Sequence, residues 1–376
     1  MSVIPNILFR SFTNLDDLSS LDPLFKQLFN DTVTQNPEYV QVFFNGADIE
    51  NFIRHHFIHF IDYYYALLPG AYKTDFFRLL LLYHYGGIYN DMGIRFIKRI
   101  PDVVRSDDEF VGAVDLDNTA LINGWFAVHS HHPYIHELLK LIMENIKYRR
   151  YNCNNLDITG PKTWGRALSA FFCSLQIQPK KVGTYEIENY KFRFLQFHDD
   201  HGRQTITENG EISLTNKFEG YKAAIYRNGT ESFGSIYYYH TVFNTSNAIS
   251  IYSNLGPYEG KLLQWGKSIN YIQDGKRRGF EDFDTFLGYG FETCMVAEKT
   301  DKLMEMPMGE NFKLQDIPYC NGTKVQKESK REMDEMEEGK IRARRVRLEM
   351  FIRDFAGRTV DYATLHNFMS KGQAEG

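Results

Sequence analysis

The amino-acid sequence predicts an α/β fold, in which a mostly parallel sheet carries helices on both faces and is followed by a C-terminal helical appendage. Short apolar runs typical of buried strands alternate with segments whose apolar residues recur at helical spacing. Such alternation implies a parallel sheet covered on both sides. After about residue 243 the periodicity weakens and the chain becomes strongly charged, which indicates a different kind of structure there.

The first strand–helix pairs lie before residue 60. Residues 4–9 have the apolar character of a buried strand, and the stretch that follows, up to about residue 29, has leucines and phenylalanines at helical spacing. Residues 40–44 predict a second strand, closed by the Asn45-Gly46 turn. Residues 49–60 then predict a second helix.

A longer helix and a short strand follow the break at Pro69-Gly70. Residues 71–85 predict a helix, and Gly86-Gly87 ends it because glycine tolerates the left-handed conformation of a helix cap. Residues 88–90 predict a short strand, and residues 91–93 a turn. One face of the helix carries apolar side chains, namely Phe76, Leu79, Leu80 and Tyr83.

Two more strands and a helix complete the predicted main domain, which we expect to span residues 1–243. The strands are predicted at 110–114 and 125–128, and Pro133 opens the helix. Residues 244–376 are predicted to form an appendage with a charged helix at about 324–350, where charges of both signs can pair four residues apart. A fragment ending near residue 245 is therefore expected to fold.

Composition indicates a globular protein that binds a small molecule. The chain has 376 residues, of which 43% are hydrophobic, and a formal net charge of -5 with basic residues spread along it. This distribution argues against nucleic acid or an anionic membrane as the main partner. The four cysteines lie far apart and predict reduced, buried thiols. The absence of a signal peptide pattern and of a transmembrane run predicts a cytoplasmic protein.

Asp91 is the first candidate for chemistry. It follows directly after a predicted strand, and open α/β folds bind ligands beyond the carboxyl ends of their strands. A carboxylate there could also hold a divalent cation, which prefers hard oxygen ligands. Gly86 and Gly87 are expected to let the backbone turn tightly and let a ligand approach.

Asp75 and Arg78 form the second candidate. They lie three residues apart on the predicted helix and therefore on one face. Together they could accept from and donate to sugar hydroxyls. The alternative is a surface salt bridge on an ordinary helix.

The segment AYKTDFFRLLLLYHYGGIYNDMG, residues 71–93, resembles the sugar-binding region of glycosyltransferase family 32, a DxD-containing group. The opening IPNILFRSF, the segment NPEYVQVFFN, the segment NGWFAVHSHHP and the Thr159-Gly160-Pro161 triplet also resemble parts of that family, in the same order. The resemblance covers residues 4–243 and implies a Rossmann-like GT-A catalytic domain.

Site residues follow from the resemblance position by position. It implies that Asp91 is the first aspartate of the DxD and a ligand of Mn²⁺ or Mg²⁺. His240 is either a further metal ligand or a structural histidine. At position 93, where the family has its second aspartate, this chain has glycine. The residues implied to bind the donor sugar are Asp75, Arg78, Gly86, Gly87, Tyr89 and Asn123.

The resemblance implies an enzyme that transfers a hexose from a nucleotide-diphosphate sugar to a glycan or other hydroxyl acceptor, with retention of configuration. The alternative is a sugar- or nucleotide-binding protein that has lost activity through Gly93. A metal hydrolase built on HDDHG, residues 198–202, is a third hypothesis, although a polar turn explains that segment equally. Trp125 and Trp164 could form the floor of a sugar site or belong to the core.

Overall fold

The computed structural model describes most of the chain, with short gaps. The described residues are 3–115, 119–174, 182–187, 190–200, 203–216, 219–221, 223–224, 237–238, 241–244, 246, 249–252, 255–289, 291–313 and 335–371.

Strands and helices alternate through the first half of the chain. The strands are β1 (Ile7–Ser11), β2 (Val40–Phe44), β3 (Gly87–Asn90), β4 (Arg95–Phe96), β5 (Phe110–Val114), β6 (Leu121–Val128), β7 (Gly183–Ile187), β8 (Tyr190–Asp200), β9 (Arg203–Glu208), β10 (Glu211–Asn216), β11 (Leu262–Trp265), β12 (Ser268–Gln273), β13 (Lys276–Arg278), β14 (Val296–Lys299) and β15 (Thr359–Asp361). The helices are α1 (Pro23–Gln35), α2 (Gly46–His56), α3 (Ile61–Ala66), α4 (Gly70–Tyr85), α5 (Ile100–Val103), α6 (Pro133–Lys147), α7 (Pro161–Ser174), α8 (Phe283–Gly288), α9 (Glu335–Phe355) and α10 (Tyr362–Ser370).

The main sheet has the order β15-β2-β1-β3-β6-β5-β8-β9-β10-β4, with β7 paired to β8. The strands β15, β2, β1 and β3 are parallel to one another, and β5 is parallel to β8. The other pairs are antiparallel, beginning where β6 lies between β3 and β5. The predicted α/β fold is confirmed, and its parallel part is the half of the sheet that contains β1 and β3.

Helix α4 is the central helix of this half. Its sequence is apolar nearly all round, and most of its side chains are buried in the main core. Gly86 ends the helix with φ +67°, and a Cβ there would lie 2.7 Å from the backbone nitrogen of Ser130. Glycine is therefore required at the cap both by dihedral angle and by space.

The C-terminal part of the chain joins the main sheet. Strand β15 runs parallel to β2, with Val360 opposite Val42. Helix α9 buries Leu348 and Phe351 in the same core as α4. The predicted boundary at residue 243 therefore does not bound the hydrophobic core. Of the predicted charged helix at 324–350, the part from Glu335 is helical and the part before it lies outside the described residues.

A second, smaller sheet with the order β13-β12-β11-β14 is built from residues 262–299 and has its own small cluster around Leu263, Ile272 and Leu303. A disulfide between Cys153 and Cys294 ties it to the main domain. The prediction of reduced thiols is wrong for these two cysteines, because the fold brings together residues 141 positions apart in sequence. Within the described ranges, no helix is both long and apolar enough to cross a membrane.

Candidate active site

The candidate site lies where β3 ends, in the parallel half of the sheet. Asp91 follows β3 directly, and its backbone N–H donates to the carbonyl oxygen of Gly124 at 2.8 Å. The carbonyl oxygen of Asp91 accepts from the N–H of Ile94 at 3.0 Å and closes a turn. The Asp91 side chain is 38% exposed. It therefore lies where the sequence predicted, beyond the carboxyl end of a strand, with its carboxylate open to a ligand.

Arg78 links Asp91 to Asp75. Its Nη2 lies 3.2 Å from Oδ1 of Asp91 and 3.1 Å from Oδ1 of Asp75. The side chains of Arg78 and Asp75 are only 5% and 7% exposed. The surface salt bridge considered as an alternative is therefore wrong, because this face of α4 is buried against the end of β3.

Two further side chains complete the environment of Asp75. Nδ2 of Asn123 donates to Oδ1 of Asp75 at 2.9 Å, and Oγ1 of Thr159 donates to Oδ2 at 2.8 Å. Arg78 in turn donates to the carbonyl oxygen of Asn123 at 2.5 Å. Burial raises the pKa of Asp75 to about 6, against the opposing effects of Arg78 and these hydrogen bonds. Asp75 is thus a fully bonded group that holds its neighbours in place.

The raised pKa of Asp75 predicts a pH dependence of stability. Between its usual pKa of 3.8 and about 6, Asp75 binds more protons in the folded protein than in the unfolded chain. Its contribution to the free energy of unfolding is therefore present below pH 3.8 and is lost as the pH rises through 6. Relative to Asp75→Asn, we expect the free energy of unfolding of the wild type to fall by roughly 3 kcal/mol between pH 3 and 7.

Denaturant unfolding of the wild type and Asp75→Asn across this pH range measures the effect. The exposed Asp102 supplies a matched control, since Asp102→Asn should follow the wild type at every pH. If the wild type instead gained stability relative to Asp75→Asn as the pH rose, the pKa of Asp75 would be lowered in the folded protein.

Tyr89 supports Arg78 from below. The Arg78 guanidinium carbon lies 4.4 Å from the centre of the Tyr89 ring, and the Tyr89 hydroxyl is hydrogen-bonded to that of Ser11 at 2.8 Å. Tyr89 is fully buried. A buried ring cannot contact a sugar, so that prediction for Tyr89 is wrong. The Tyr89 ring instead packs against the guanidinium of Arg78 and fixes its position.

Arg10, the penultimate residue of β1, holds the turn after Asp91. Its guanidinium donates to the carbonyl oxygens of Asp91 at 2.9 Å, of Met92 at 3.3 Å and of Ile94 at 3.2 Å. Burial lowers the pKa of Arg10 to about 9, and the nearby charge of Asp91 opposes this. Arg10 was not among the residues predicted from sequence, although an arginine inside an apolar strand is a signal for a buried polar role.

A cavity of about 320 Å³ opens beside Asp91. This size is within the range of small-molecule sites. Neither Asp75 nor Arg78 belongs to its lining, so they lie behind Asp91. Polar side chains from several elements line it, namely Asp91, Asp115, Asn123, Lys162, Asp199, Gln204, Thr205, Thr215 and Asn216.

The Tyr221 ring occupies the space beside Gly93, the position where the motif is expected to have its second aspartate. A Cβ on Gly93 would lie 2.0 Å from Cε2 of Tyr221 and 2.8 Å from Oδ1 of Asn216. Gly93 does not have a positive φ, so the constraint on this glycine is steric. Position 93 therefore has no room for a carboxylate unless Tyr221 moves.

Gly86 and Gly87 lie at the opposite end of the strands from Asp91. They stand at the amino end of β3, whereas Asp91 follows its carboxyl end. Four strand residues at about 3.3 Å each separate the two ends by roughly 13 Å. The prediction that these glycines bind the donor sugar is therefore wrong. They serve the helix cap and the close approach of β3 to Ile7.

Both candidate tryptophans belong to the core. Trp125 and Trp164 are fully buried. The indole N–H of Trp164 donates to the carbonyl oxygen of Thr159 at 3.0 Å, which helps to place the Thr159 hydroxyl on Asp75. The sugar-floor hypothesis is wrong for both residues.

The two other candidates for metal binding, His240 and the HDDHG segment at 198–202, fall wholly or partly outside the described residues. His240 lies outside the described residues, and so do His201 and Gly202 of HDDHG. His198 is hydrogen-bonded to Thr207 at 3.0 Å, and Asp199 accepts from Gln204 at 2.9 Å, both across the β8–β9 hairpin. In the part of the chain that is described, neither belongs to a group of three side chains able to surround an ion.

The site fits a divalent cation only if a bound ligand, such as a diphosphate, supplies most of the coordinating oxygens. Asp91 offers one partly exposed carboxylate, and the neighbouring position is Gly93 beneath Tyr221. Mg²⁺ and similar ions are commonly held by one or two carboxylates together with phosphate oxygens and water. This site supplies one carboxylate, the smaller of those two numbers.

One family model matches a part of the chain that includes the site. Residues 22–111 match the family model described as glycosyltransferase sugar-binding region containing DXD motif. That segment contains Asp75, Arg78 and Asp91, and the match is to the kind of DxD-containing sugar-binding region that these residues predicted from sequence.

One solved structure similar to this chain is the PaToxG glycosyltransferase. The two share 21% sequence identity over 44% of this chain and 68% of that chain, with a TM-score of 0.35. No curated protein matches the sequence.

Proposed function

We propose that this chain transfers a hexose from a nucleotide-diphosphate sugar to a hydroxyl group of a glycan or other acceptor, with retention of anomeric configuration. The observation that carries the proposal is the Asp91 carboxylate, which is held by the buried Arg78 and open to a cavity of about 320 Å³. Asp91 also lies within the segment matched by the sugar-binding family.

The proposed roles follow from the order of the side chains. Asp91 and Asn123 line the cavity and contact the donor, with Asp91 as the catalytic residue. Arg78 orients Asp91, and Asp75 orients Arg78, so these two act from behind the cavity wall. A network held in place before the ligand arrives stabilises developing charge without rearrangement during the reaction.

The diphosphate of the donor is placed near Lys162. Pro161 and Lys162 form the first turn of α7 and line the cavity. A lysine and a helix N-terminus both favour negative charge. A Mn²⁺ or Mg²⁺ ion, held by Asp91 together with diphosphate oxygens, would neutralise the leaving group further.

Turnover of sugar nucleotides tests the proposal. The purified protein is incubated with uridine- and guanosine-diphosphate hexoses and Mn²⁺, and release of nucleoside diphosphate is followed with and without added hydroxyl acceptors. We expect one donor to be consumed, faster with an acceptor present. If none is consumed although a donor binds, the transferase proposal fails.

A second candidate function is sugar or nucleotide binding without catalysis. The observation that favours it is Gly93, which leaves the motif without its second carboxylate. The Tyr221 ring fills the space that a side chain at this position would need. This candidate predicts that donors bind and are never turned over, so the same incubation separates the two.

The Gly93 position makes a direct prediction. Gly93→Asp and Gly93→Ala should each destabilise the fold by about 1–3 kcal/mol, because a Cβ meets the Tyr221 ring. Adding Tyr221→Ala removes that contact. Gly93→Asp with Tyr221→Ala should then bind Mn²⁺ about tenfold more tightly in the presence of a sugar nucleotide than the wild type does.

Calorimetric titration of Mn²⁺ with and without the nucleotide measures this effect. The matched control is Gly93→Ala with Tyr221→Ala, which has the same space and no carboxylate. Equal Mn²⁺ affinity of the two double variants would show that position 93 is not the missing ligand position of the motif.

The cellular compartment stays a prediction. The sequence predicts the cytoplasm, whereas the Cys153–Cys294 disulfide is typical of oxidising compartments. Mass measurement of the protein from its native source under non-reducing conditions decides between these, because the disulfide lowers the mass by two hydrogens.

A further inference from the structure

A second, larger cavity lies between the main domain and the small sheet. It has a volume of about 810 Å³. One wall comes from α6 and the segment after it, including Arg149 and Tyr151. The other comes from β12, including Tyr271, and from β11 with Lys261, the residue that precedes it. We refer to this cavity as the aromatic cleft. The roles proposed for Asp91 and its neighbours leave it unused.

Both walls of the aromatic cleft carry partly exposed rings. On the side of the small sheet, Tyr271 packs against Phe291 with ring centres 5.5 Å apart. On the main-domain side, the partly exposed Tyr151 packs edge-on against the buried ring of Phe243, with ring centres 5.1 Å apart. Aromatic faces of this kind bury the apolar faces of sugar rings while polar neighbours bond to hydroxyls.

The cleft carries an excess of positive charge among the described residues. Three of its cations are neutralised: Arg150 contacts Glu144 at 3.2 Å, Lys140 contacts Glu137 at 2.9 Å, and Arg166 is paired with Asp157. Two other cations, Arg149 and Lys261, are in no salt bridge with a described residue and lie close enough that the charge of Arg149 lowers the pKa of Lys261. A pair of neighbouring cations in a cleft attracts an anionic ligand.

One nitrogen of the Arg149 guanidinium makes no hydrogen bond to a described residue. Its guanidinium lies over the ring of Tyr252, with the central carbon 3.7 Å from the ring centre. This stacking leaves the buried Nε of Arg149 without a hydrogen-bond partner among the described residues. Partial burial also lowers the pKa of Lys261, with Glu298 opposing. Both groups would gain from a carboxylate or similar anion.

The aromatic cleft adjoins the candidate active site. Lys162 lines the active-site cavity, and Arg166 lines the cleft. They lie four residues apart on α7, on one face of the helix and about 6 Å apart along its axis. The segment between Cys153 and Thr159 also runs from the disulfide to the hydroxyl that holds Asp75. A chain of a few sugars could therefore occupy the cleft and extend to Asp91.

We propose that the aromatic cleft binds an acidic glycan, one that bears carboxylate or comparable anionic groups, and presents its end to the neighbouring active site as the acceptor. The inference rests on the proposed transferase function. The rings contact sugar faces, and Arg149 and Lys261 bind the anionic groups.

The test uses two oligosaccharides with the same skeleton. One is a hexamer of α-1,4-linked galacturonic acid, and the other is the same hexamer with its carboxyl groups reduced to alcohols. Calorimetry at low ionic strength should show the acidic hexamer binding the full-length wild type at least about tenfold more tightly. Hexaglutamate, an acidic chain without sugar rings, should bind much more weakly.

Variants locate the binding. Arg149→Gln and Lys261→Gln should each weaken the acidic hexamer about tenfold and leave the reduced hexamer unaffected. Phe291→Ala should weaken both hexamers. Lys299→Gln, an exposed lysine on β14 outside the cleft, is the matched control and should change neither. Melting temperatures identify any variant that fails to fold, and the wild-type comparison does not depend on them.

Each outcome decides a separate point. Equal binding of the two hexamers, or equal binding of hexaglutamate, overturns the acidic-glycan inference. If neither hexamer binds a protein that consumes a sugar nucleotide, the inference about the cleft fails and the proposed function stands. If the acidic hexamer binds a protein that consumes no sugar nucleotide, the transferase proposal fails and the cleft remains a glycan site.

Discussion

Replacing Asp91 with asparagine is expected to lower the rate of sugar transfer by about a hundredfold or more while the protein remains folded. The substitution keeps the shape of the side chain and removes the charge that faces both Arg78 and the cavity. Removing one preorganised polar group from an active site typically costs about 100- to 1000-fold in rate. The carboxylate is partly exposed, so the stability change should stay within about 1 kcal/mol.

Single-turnover kinetics with the preferred donor and thermal unfolding of the same samples measure the two effects. Asp102→Asn removes an equally charged group from the surface and should match the wild type in both. Full activity of Asp91→Asn would show that the reaction takes place elsewhere on the molecule.

Truncation at residue 245 is expected to abolish cooperative folding. The fragment loses β15, which pairs with β2, and four side chains that are buried in the main core, Leu348, Phe351, Tyr362 and Leu365. Burial of a large apolar side chain is worth about 1.5–3 kcal/mol, so four of them contribute about 6–12 kcal/mol. That range is comparable to the whole stability of a typical domain, about 5–15 kcal/mol.

Denaturant unfolding followed by circular dichroism measures the fragment against the full chain. Phe351→Ala and Leu365→Ala in the full chain are the graded controls, and each should lower the free energy of unfolding by about 2–5 kcal/mol. A fragment that unfolds cooperatively near the midpoint of the full chain would support the boundary predicted from sequence at residue 243.

Local sequence patterns were sufficient for the elements that carry the site. The strand at 40–44 and the helix ending at Gly86 were placed correctly, because apolar spacing and a glycine cap are local signals. The strand β15 could not be predicted in this way. It is three residues long and follows a charged segment, and its partner β2 lies more than 300 positions earlier, as the bond from Gln41 to Thr359 shows with a separation of 318.

The site was predicted in part for the same reason. Asp75, Arg78 and Asp91 lie on one continuous segment and could be named together. Thr159, Tyr221 and Arg10 reach the site through the fold alone and were given no role. The error at Gly86 and Gly87 has a simple cause. Residues close in sequence to Asp91 stand at the opposite end of β3, because a strand separates its two ends in space.

The position of the bound donor is the most direct test of the central claim that the cavity beside Asp91 is the donor site. Hydrogen exchange is followed by mass spectrometry, with and without Mn²⁺ and a nucleotide-diphosphate hexose that binds the protein. We predict slower exchange at residues 91–95 and 154–162, the turn after β3 and the loop before α7. Protection confined to residues 260–273 of the aromatic cleft, with the turn at 91–95 unchanged, would contradict the account.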